Sequence, residues 1–285
     1  MARRSAGEST LHRHMRILSA FTSLQPFLTL SELARATTMT PSTLHRLLGD
    51  LEHEGLVERM PDRTYRLGLR LWELAAHTPG APGLREIARS WLAAAHSRIR
   101  QHTQLGVLAE TDVLFIDRLS HPDGVVNTVL IGGRLPLYTS SSGLVLLAHA
   151  PRTTLDDVLA AGLHAYTPHT IRTRSQLEAA LQRARIDGYA VSEGHIHEES
   201  RGVAVPVRGP DSSVYAALGA VVPNDGSSPL PIVEVLAIAA KGIERGLRDA
   251  YSANPSTPER QQLPGVSARS WDYMTQLRHR EQAGE

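Results

Sequence analysis

The sequence predicts an α+β protein with two domains, and three observations support this. Apolar residues recur with helical spacing three times before residue 56. From residue 103 onward, short extended runs separated by turn-forming residues predict strands in antiparallel hairpins. Between them, residues 78–83 contain two prolines and two glycines, which places the domain boundary there. Helices grouped around antiparallel strands define the α+β class.

Two helices are predicted before residue 38. Residues 11–24 form an amphipathic helix that Pro26 ends. Its predicted buried stripe consists of Leu11, Met15, Leu18 and Phe21. Thr29 and Glu32 have the spacing of a capping box, in which each side chain satisfies a free backbone amide of the other. A second helix is therefore predicted over residues 30–37.

A third helix and a hairpin complete the N-terminal domain. Thr40 suits an N-cap, Pro41 the first turn, and Gly55 ends the helix. Its predicted buried face consists of Leu44, Leu47, Leu48 and Leu51, and its polar face of Ser42, His45, Arg46 and Gly49. Extended runs at 56–59 and 64–67 predict a β-hairpin. Three helices and a hairpin favour a winged helix-turn-helix over a generic helical domain.

The remaining elements follow the same spacing rules. Helices are predicted over residues 69–77, 84–101, 142–150, 175–186 and 231–250, and strands over 104–110, 113–119, 125–131, 203–208 and 214–222. The helix at 84–101 is equally compatible with core packing and with dimerisation. We expect a flexible arm over residues 1–10, a DNA-binding domain with the start of a linker helix over 11–78, a second domain over 84–251 and a disordered tail over 252–285.

Composition excludes several classes of protein. The chain has 285 residues, of which 41 % are hydrophobic, which is enough for two globular domains. Without a long uncharged apolar run or an apolar leader, we expect a cytoplasmic protein with no membrane contact. The absence of cysteine excludes disulfides, thiolate nucleophiles and Cys-ligated zinc. No cofactor is predicted.

Charge is distributed unevenly along the chain. Residues 1–48 contain six arginines but only two acids, Glu8 and Glu32, which gives a net charge of +4. Residues 76–285 contain 20 basic and 21 acidic side chains. A positive segment attached to a neutral body indicates a nucleic-acid partner for the N-terminal domain and a different task for the rest.

Five segments resemble one known family. STLHRLLGDLEHEGLVER (residues 42–59), followed by YRLG, resembles the DNA-binding domain of IclR-family transcriptional regulators. GGRLPLYTSSSGLVLLA (132–148), IDGYAVSEG (186–194), SRGVAVPV (200–207) and AALGAVVP (216–223) extend the resemblance over roughly residues 11–250. The resemblance implies an N-terminal winged helix-turn-helix joined by a linker helix to a GAF-like antiparallel-sheet effector domain. It also implies a regulator rather than an enzyme, more often a repressor, acting as a dimer or tetramer on palindromic double-stranded operator DNA.

Candidate DNA-binding residues lie on the third helix and the hairpin. Hydroxyl groups at the start of the helix can bind phosphate beside free backbone amides, and Arg46 or His45 can reach base edges one turn further along. The hairpin arginines, with Arg3 and Arg4 in the arm, are expected at the DNA backbone or minor groove. The full set is Thr40, Ser42, Thr43, His45, Arg46, Arg59, Arg63 and Arg66. Thr38 stands where the family usually has glycine, so backbone strain is predicted there.

Candidate effector-binding residues follow from the resemblance. The family's four polar anchors fall on Ser192, Gly202, Gly219 and Val221, and three of them lack a hydrogen-bonding side chain. The other candidates are Leu135, Tyr138, Thr139, Ser140, Ser141 and Gly143. The two glycines predict an enlarged, less polar cavity. We therefore expect a small organic effector, either a carboxylate or a larger, less polar molecule than a two- or three-carbon acid; the alternative is a pocket with no ligand.

The rival interpretation is a metal-dependent enzyme or metal-sensing protein. His195 and His197, followed by Glu198 and Glu199, are metal-ligand types, and the histidines would share one side of a strand. However, HExxH is absent, and the serines at 140–142 lack the Gly-x-Ser-x-Gly motif of hydrolases. We therefore predict no metal ligand and no catalytic residue.

Overall fold

The computed structural model describes residues 8–76 and 81–252. The chain divides into two compact units, residues 1–78 and residues 79–285. Of the predicted arm, residues 1–7 lie outside the described residues, whereas Ser9 caps the first helix and Thr10 begins it. The predicted tail lies outside the described residues from residue 253 onward. No helix in the described ranges is both long and apolar enough to cross a bilayer.

The first unit is a three-helix domain with a hairpin. Its elements are α1 (Thr10–Ala20), α2 (Leu30–Thr37), α3 (Pro41–His53), β1 (Val57–Arg59), β2 (Tyr65–Leu67) and α4 (Leu69–Ala76). The predicted capping box is confirmed: Thr29 Oγ1 accepts from Glu32 N at 3.3 Å, and Glu32 Oε2 accepts from Thr29 N at 2.8 Å. The predicted buried face of α3 is also confirmed, since all four of its leucines are at most 3 % exposed.

The predicted apolar stripe of the first helix is partly wrong. Leu11 is 70 % exposed and Met15 is 50 % exposed, whereas Ile17 and Phe21 are buried. The helix ends at Ala20, several residues before Pro26. Only the C-terminal half of α1 contributes to the core with α2 and α3, so the apolar residues of its first turns have no buried position within this unit.

The turn between α2 and α3 carries the predicted strain. Thr38 has φ 54° and ψ 26°, the left-handed conformation that favours glycine. Arg16 of α1 stabilises this turn, because its guanidinium donates to Thr38 Oγ1 at 2.9 Å and to Thr37 O. The same guanidinium pairs with Glu8 at 2.8 Å. Helix α1 therefore holds the turn that orients α3.

The second unit contains one six-stranded antiparallel sheet. Its strands are β3 (His102–Ala109), β4 (Asp112–Leu119), β5 (Arg134–Pro136), β6 (Ala190–Glu193), β7 (Ser200–Arg208) and β8 (Val214–Pro223). The strand order is β5-β4-β3-β8-β7-β6. Gln104 lies opposite Gly219, and Gly202 lies opposite both Ser192 and Val221. Because directly opposite residues share a face of the sheet, as do residues two apart on one strand, these five residues lie on the same face.

Helices cover both faces of the sheet. They are α5 (Ala81–Ile99), α6 (Ser141–His149), α7 (Arg152–Ala161), α8 (Arg174–Asp187) and α9 (Leu230–Ser252). Leu92 of α5 and Leu236 of α9 share one core with Leu218 of β8. Leu144 of α6 and Leu177 of α8 share the other core with Phe115 of β4. The α+β class and the antiparallel sheet predicted from the sequence are confirmed.

The predicted strand at 125–131 is wrong, because these residues form a loop. Side chains, not a partner strand, bind its backbone. Val125 N donates to Gln101 Oε1 at 3.3 Å, and Val125 O accepts from His102 Nε2 at 2.7 Å. Ser200 Oγ donates to Val126 O at 2.7 Å, and Arg118 donates to Val129 O. We call residues 124–131 the side-chain-anchored loop.

Other elements differ from the prediction at their limits or were not predicted. Helix α5 begins at Ala81, inside the stretch predicted as a break. No element was predicted for α7, β5 or β6. The remaining predicted helices and strands are present, with ends that differ by at most three residues.

Candidate DNA interface and effector cavity

The start of α3 presents a cluster of hydroxyl groups. Thr40 is the N-cap, and its Oγ1 accepts from Thr43 N at 3.4 Å. The Oγ1 of Thr40 also lies 3.0 Å from Thr43 Oγ1 and 3.3 Å from Ser42 Oγ. Thr40 and Ser42 are exposed, whereas Thr43 is half-buried. Such a cluster at a helix N-terminus can donate to a phosphate group, where the helix dipole favours an anion.

His45 and Arg46 are exposed one turn further along α3. Arg46 Nη1 lies 3.4 Å from Asp50 Oδ2, and His14 Nε2 of α1 lies 3.5 Å from the same oxygen. The Arg46 side chain is 61 % exposed, so the pair is open to water. Because a solvated ion pair of this kind is weak, the guanidinium can exchange Asp50 for another acceptor at small cost.

The three hairpin arginines have different surroundings. The Arg59 guanidinium stacks 5.8 Å above the centre of the Tyr65 ring, and Arg66 pairs with Glu58 at 2.7 Å. The hydrogen bond from Arg66 holds the pKa of Glu58 below its usual value. Arg63 is exposed at the tip of the hairpin, with φ 66°. The tip residue is therefore the hairpin arginine best placed to contact DNA.

The second unit contains a cavity on the α6 face of the sheet. It has about 460 Å³ of space not filled by atoms, part of which is open to solvent. Seven of the predicted effector residues line it, namely Leu135, Thr139, Ser140, Ser141, Ser192, Gly202 and Val221. The other lining residues were not predicted as effector-binding; they are Gln104, Val126, Asn127, Thr128, Val129, His195, Ile196, His197 and Ser200.

Three predicted effector residues lie outside the cavity lining. Tyr138 is buried, and its hydroxyl donates to His164 O at 3.0 Å and accepts from His164 N at 2.7 Å. Burial raises the pKa of this tyrosine. A Cβ atom at Gly143 would lie 2.2 Å from Leu137 O, so this glycine permits close backbone packing. Gly219 lies on β8, beneath the Ser142 hydroxyl.

The predicted enlargement of the cavity by its glycines is wrong. A Cβ atom at Gly202 would lie 2.6 Å from Ser192 Oγ and 2.7 Å from Ser141 Oγ. At Gly219 it would lie 2.8 Å from Ser142 Oγ. Serine hydroxyls therefore occupy the space that the missing side chains leave. The glycines therefore make room for serine hydroxyls and do not enlarge the cavity.

The N-terminus of α6 forms one polar end of the cavity. Ser140 is the N-cap, and its Oγ accepts from Gly143 N at 3.1 Å. Ser192 Oγ of β6 accepts from Ser141 N at 3.1 Å. On the sheet side, Asn127 Nδ2 of the side-chain-anchored loop donates to Gln104 Oε1 at 3.2 Å. These contacts fix the positions of the polar groups around the cavity.

His195 and His197 also line the cavity, but not from a strand. β6 ends at Glu193, and both histidines lie in the connection to β7. In each ring the Nδ1 atom is buried and has no hydrogen-bond partner within residues 8–76 and 81–252. Burial, reinforced by His169, lowers the pKa of His195. Within residues 8–76 and 81–252, no three His, Asp or Glu side chains are grouped as they would be around a metal ion.

A capped, solvent-facing helix in a helix-turn-helix unit and a sheet unit with a partly open cavity together define a DNA-binding transcriptional regulator with a ligand-binding C-terminal domain. Residues 10–61 match the model of the IclR helix-turn-helix domain, and residues 80–228 match the model described as bacterial transcriptional regulator IclR C-terminal. The chain belongs to the IclR family of transcriptional regulators, and it is not an enzyme.

Named relatives agree with this assignment. The chain is 31 % identical over 211 residues to the HTH-type transcriptional regulator XynR of Escherichia coli, covering 73 % of this chain and 84 % of that protein. It is 27 % identical over 212 residues to the Pca regulon regulatory protein of Pseudomonas putida, covering 74 % and 72 %. A solved IclR homolog from Microbacterium hydrocarbonoxydans, complexed with 4-hydroxybenzoate, is similar with a TM-score of 0.79 and 40 % identity, covering 85 % of this chain and 100 % of that one.

Proposed function

We propose that this protein is a cytoplasmic repressor that binds a palindromic operator as a homodimer or a dimer of dimers. Helix α3 enters the major groove, and the hairpin β1–β2 lies beside it. A small organic effector binds in the cavity of the second unit and changes the affinity for DNA. The observation that carries this proposal is the partly open cavity of mixed polarity in a chain that also bears an exposed helix-turn-helix.

The DNA-binding role of α3 is supported by its two faces. Its leucines are buried in the first unit, so the opposite face is the one available to a partner. Thr40, Ser42 and Thr43 position the helix on phosphates, whereas His45 and Arg46 select bases. Arg59, Arg63 and Arg66 contact the adjacent backbone or minor groove. Two such units related by a two-fold axis require a palindromic site.

The effector proposed here is an organic acid larger than two or three carbons. The cavity is lined by both apolar and polar side chains, as small-molecule sites usually are. Apolar side chains such as Val126, Val129 and Val221 can contact a ring or chain, and polar groups lie at its ends. The related protein from Microbacterium hydrocarbonoxydans is complexed with 4-hydroxybenzoate, which has this chemistry.

The effector acts by binding unequally to two arrangements of the dimer. A ligand that binds both arrangements equally cannot change operator affinity, however tightly it binds. We propose that the helices connecting the two units transmit the difference. A coupling of about 1–3 kcal/mol changes operator affinity by roughly 5- to 150-fold.

The test combines footprinting with titration. DNase footprinting on the DNA upstream of the gene is expected to give a protected, palindromic site, and fluorescence anisotropy on that site is expected to shift when 4-hydroxybenzoate is added. Thermal-shift assays compare this acid with glyoxylate and pyruvate. Tight binding of the two small acids, with none for the larger one, would contradict the proposed ligand class. The absence of any sequence-specific protection would contradict the proposed regulator.

A further inference from the structure

The wall of the effector cavity contains no Lys, Arg, Asp or Glu side chain among the described residues. Its ionisable side chains are His195 and His197. Both rings have a buried Nδ1 atom that no group in the described part of the chain hydrogen-bonds. Buried polar atoms are normally hydrogen-bonded, so the unpaired ring nitrogens of residues that line a cavity are candidate partners for a polar group of the ligand.

We propose that His195, with His197 beside it, binds the acidic group of the effector, and that His195 takes up one proton from solvent when an organic acid binds. This assignment rests on the proposed function, because it concerns the same cavity. It adds the residue that recognises the acid and the charge state of the complex. The proton converts the neutral imidazole of His195 into an imidazolium cation, whose positive charge balances the negative charge of the bound carboxylate.

The surroundings of His195 favour a neutral ring before binding. Burial and the neighbouring His169, from the segment before α8, both lower its pKa. Thr170 Oγ1 donates to His195 O at 2.7 Å, which fixes the backbone without pairing the ring. The acids nearest in sequence, Glu193 and Glu198, are exposed and are not part of the cavity wall. The ring therefore has no anionic partner until a ligand supplies one.

The helix α6 N-terminus is a weaker candidate for the acid. Its first-turn amides would be the natural donors to an anion, but Ser141 N already donates to Ser192 Oγ and Gly143 N to Ser140 Oγ. An anion bound to either of these two amides would have to displace that hydrogen bond. Because an unpaired carboxylate is costly to bury, a site without Lys or Arg needs another cation, which a protonated histidine supplies.

Calorimetry on the unmodified protein gives the first test. We titrate 4-hydroxybenzoate at pH 7.5 in two buffers with different heats of ionisation, and repeat this with the neutral analogue 4-hydroxybenzamide. We expect net uptake of up to one proton with the acid and none with the amide. Between pH 7 and pH 8.5 the Kd of the acid should rise by up to about tenfold per pH unit, as expected for one coupled proton.

Variants identify the residue. His195→Gln is expected to abolish the proton uptake and to weaken acid binding by about tenfold or more, with a much smaller effect on the amide. His197→Gln retains the proton uptake and binds the acid a few-fold more weakly. His149→Gln, at the far end of α6, is the matched control and should behave as the unmodified protein. Circular dichroism melting checks that each variant is folded.

The outcomes separate this inference from the proposed function. Binding of the acid without proton uptake, or with uptake that His195→Gln leaves intact, would overturn the assignment of His195 while leaving the cavity as the effector site. Binding of neither probe would overturn the proposed ligand class and this assignment with it. If His195→Gln is unfolded, the buffer dependence of the unmodified protein alone decides whether a proton is taken up.

Discussion

Replacing Arg46 tests whether α3 reads base edges. In the free protein Arg46 Nη1 lies 3.4 Å from Asp50 Oδ2, in a pair whose side chains are 61 % and 50 % exposed. An exposed i,i+4 pair of this kind contributes about 0.3–0.5 kcal/mol. A bidentate contact with guanine contributes about 1–3 kcal/mol of discrimination. Because the guanine contact is worth more than the ion pair that is lost, exchanging Asp50 for a guanine is favourable.

We expect Arg46→Ala to weaken operator binding by about 5- to 150-fold, the equivalent of 1–3 kcal/mol. Affinity for unrelated DNA should change much less. Asp50→Asn releases the guanidinium and removes a negative charge, so it should tighten operator binding by about twofold. Arg183→Ala is the matched control, since Arg183 is an exposed arginine on α8 in the other unit.

The assay is fluorescence anisotropy on operator and scrambled duplexes over a range of salt concentrations. A base contact changes the ratio between the two duplexes, whereas a phosphate contact lowers the slope of log affinity against log salt by about one. If Arg46→Ala weakens binding to both duplexes equally and lowers the slope by about one, Arg46 contacts the DNA backbone and not a base. Unchanged binding would refute the placement of α3 in the groove.

Further predictions concern stability. Gly143→Ala should lower stability by about 3 kcal/mol, because its Cβ would meet backbone atoms, whereas Gly49→Ala, with open space around it, should raise stability by about 1 kcal/mol; opposite shifts in melting temperature would be measured. Hydrogen bonds from Thr29 hold the pKa of Glu32 below its usual value, so its carboxylate stabilises the fold above the unfolded pKa and loses this effect as pH falls through the folded pKa. Glu32→Ala should thus lower the melting temperature at pH 7 and progressively less below about pH 4; a difference independent of pH would contradict this. Thr38→Gly should be nearly neutral, since strain relief of about 1 kcal/mol offsets a lost hydrogen bond, whereas Thr38→Val keeps the strain and should lower the melting temperature.

The first unit was largely predictable because local signals determine its elements. The capping box at Thr29 and Glu32 and the cap at Thr40 place two helix starts within the sequence itself. The error at Leu11 and Met15 has a tertiary cause. Periodicity identifies one face of a helix, but it does not show how far along its length that face is covered.

The second unit was harder to predict because its loops are organised by distant side chains. Residues 125–131 are rich in β-branched residues, which favour a strand, yet Gln101, Ser200 and other side chains satisfy their backbone. This error also concealed four residues that line the cavity, Val126, Asn127, Thr128 and Val129. Gln104 was missed because only the pairing of β3 with β8 brings it close to Val221.

The sequence pattern indicates a different chemistry for the histidines of the cavity. The spacing of His195 and His197 is compatible with metal ligands, because alternate residues of a strand share one side. The chain turns after Glu193, so this spacing carries no such meaning. Their burial near α6 depends on how the connection folds over the sheet, and no local pattern encodes that.

The side-chain-anchored loop has a practical consequence for changing what the protein senses. The backbone of this loop is bound by side chains from outside it, namely those of Gln101, His102, Arg118 and Ser200. The hydrogen bonds between the strands of the sheet therefore do not involve the side chains of the loop. Exchanging Val126 or Thr128 alters the lining without disturbing those anchors or the sheet. A library confined to these two positions is thus a compact starting point for biosensors with altered ligand preference.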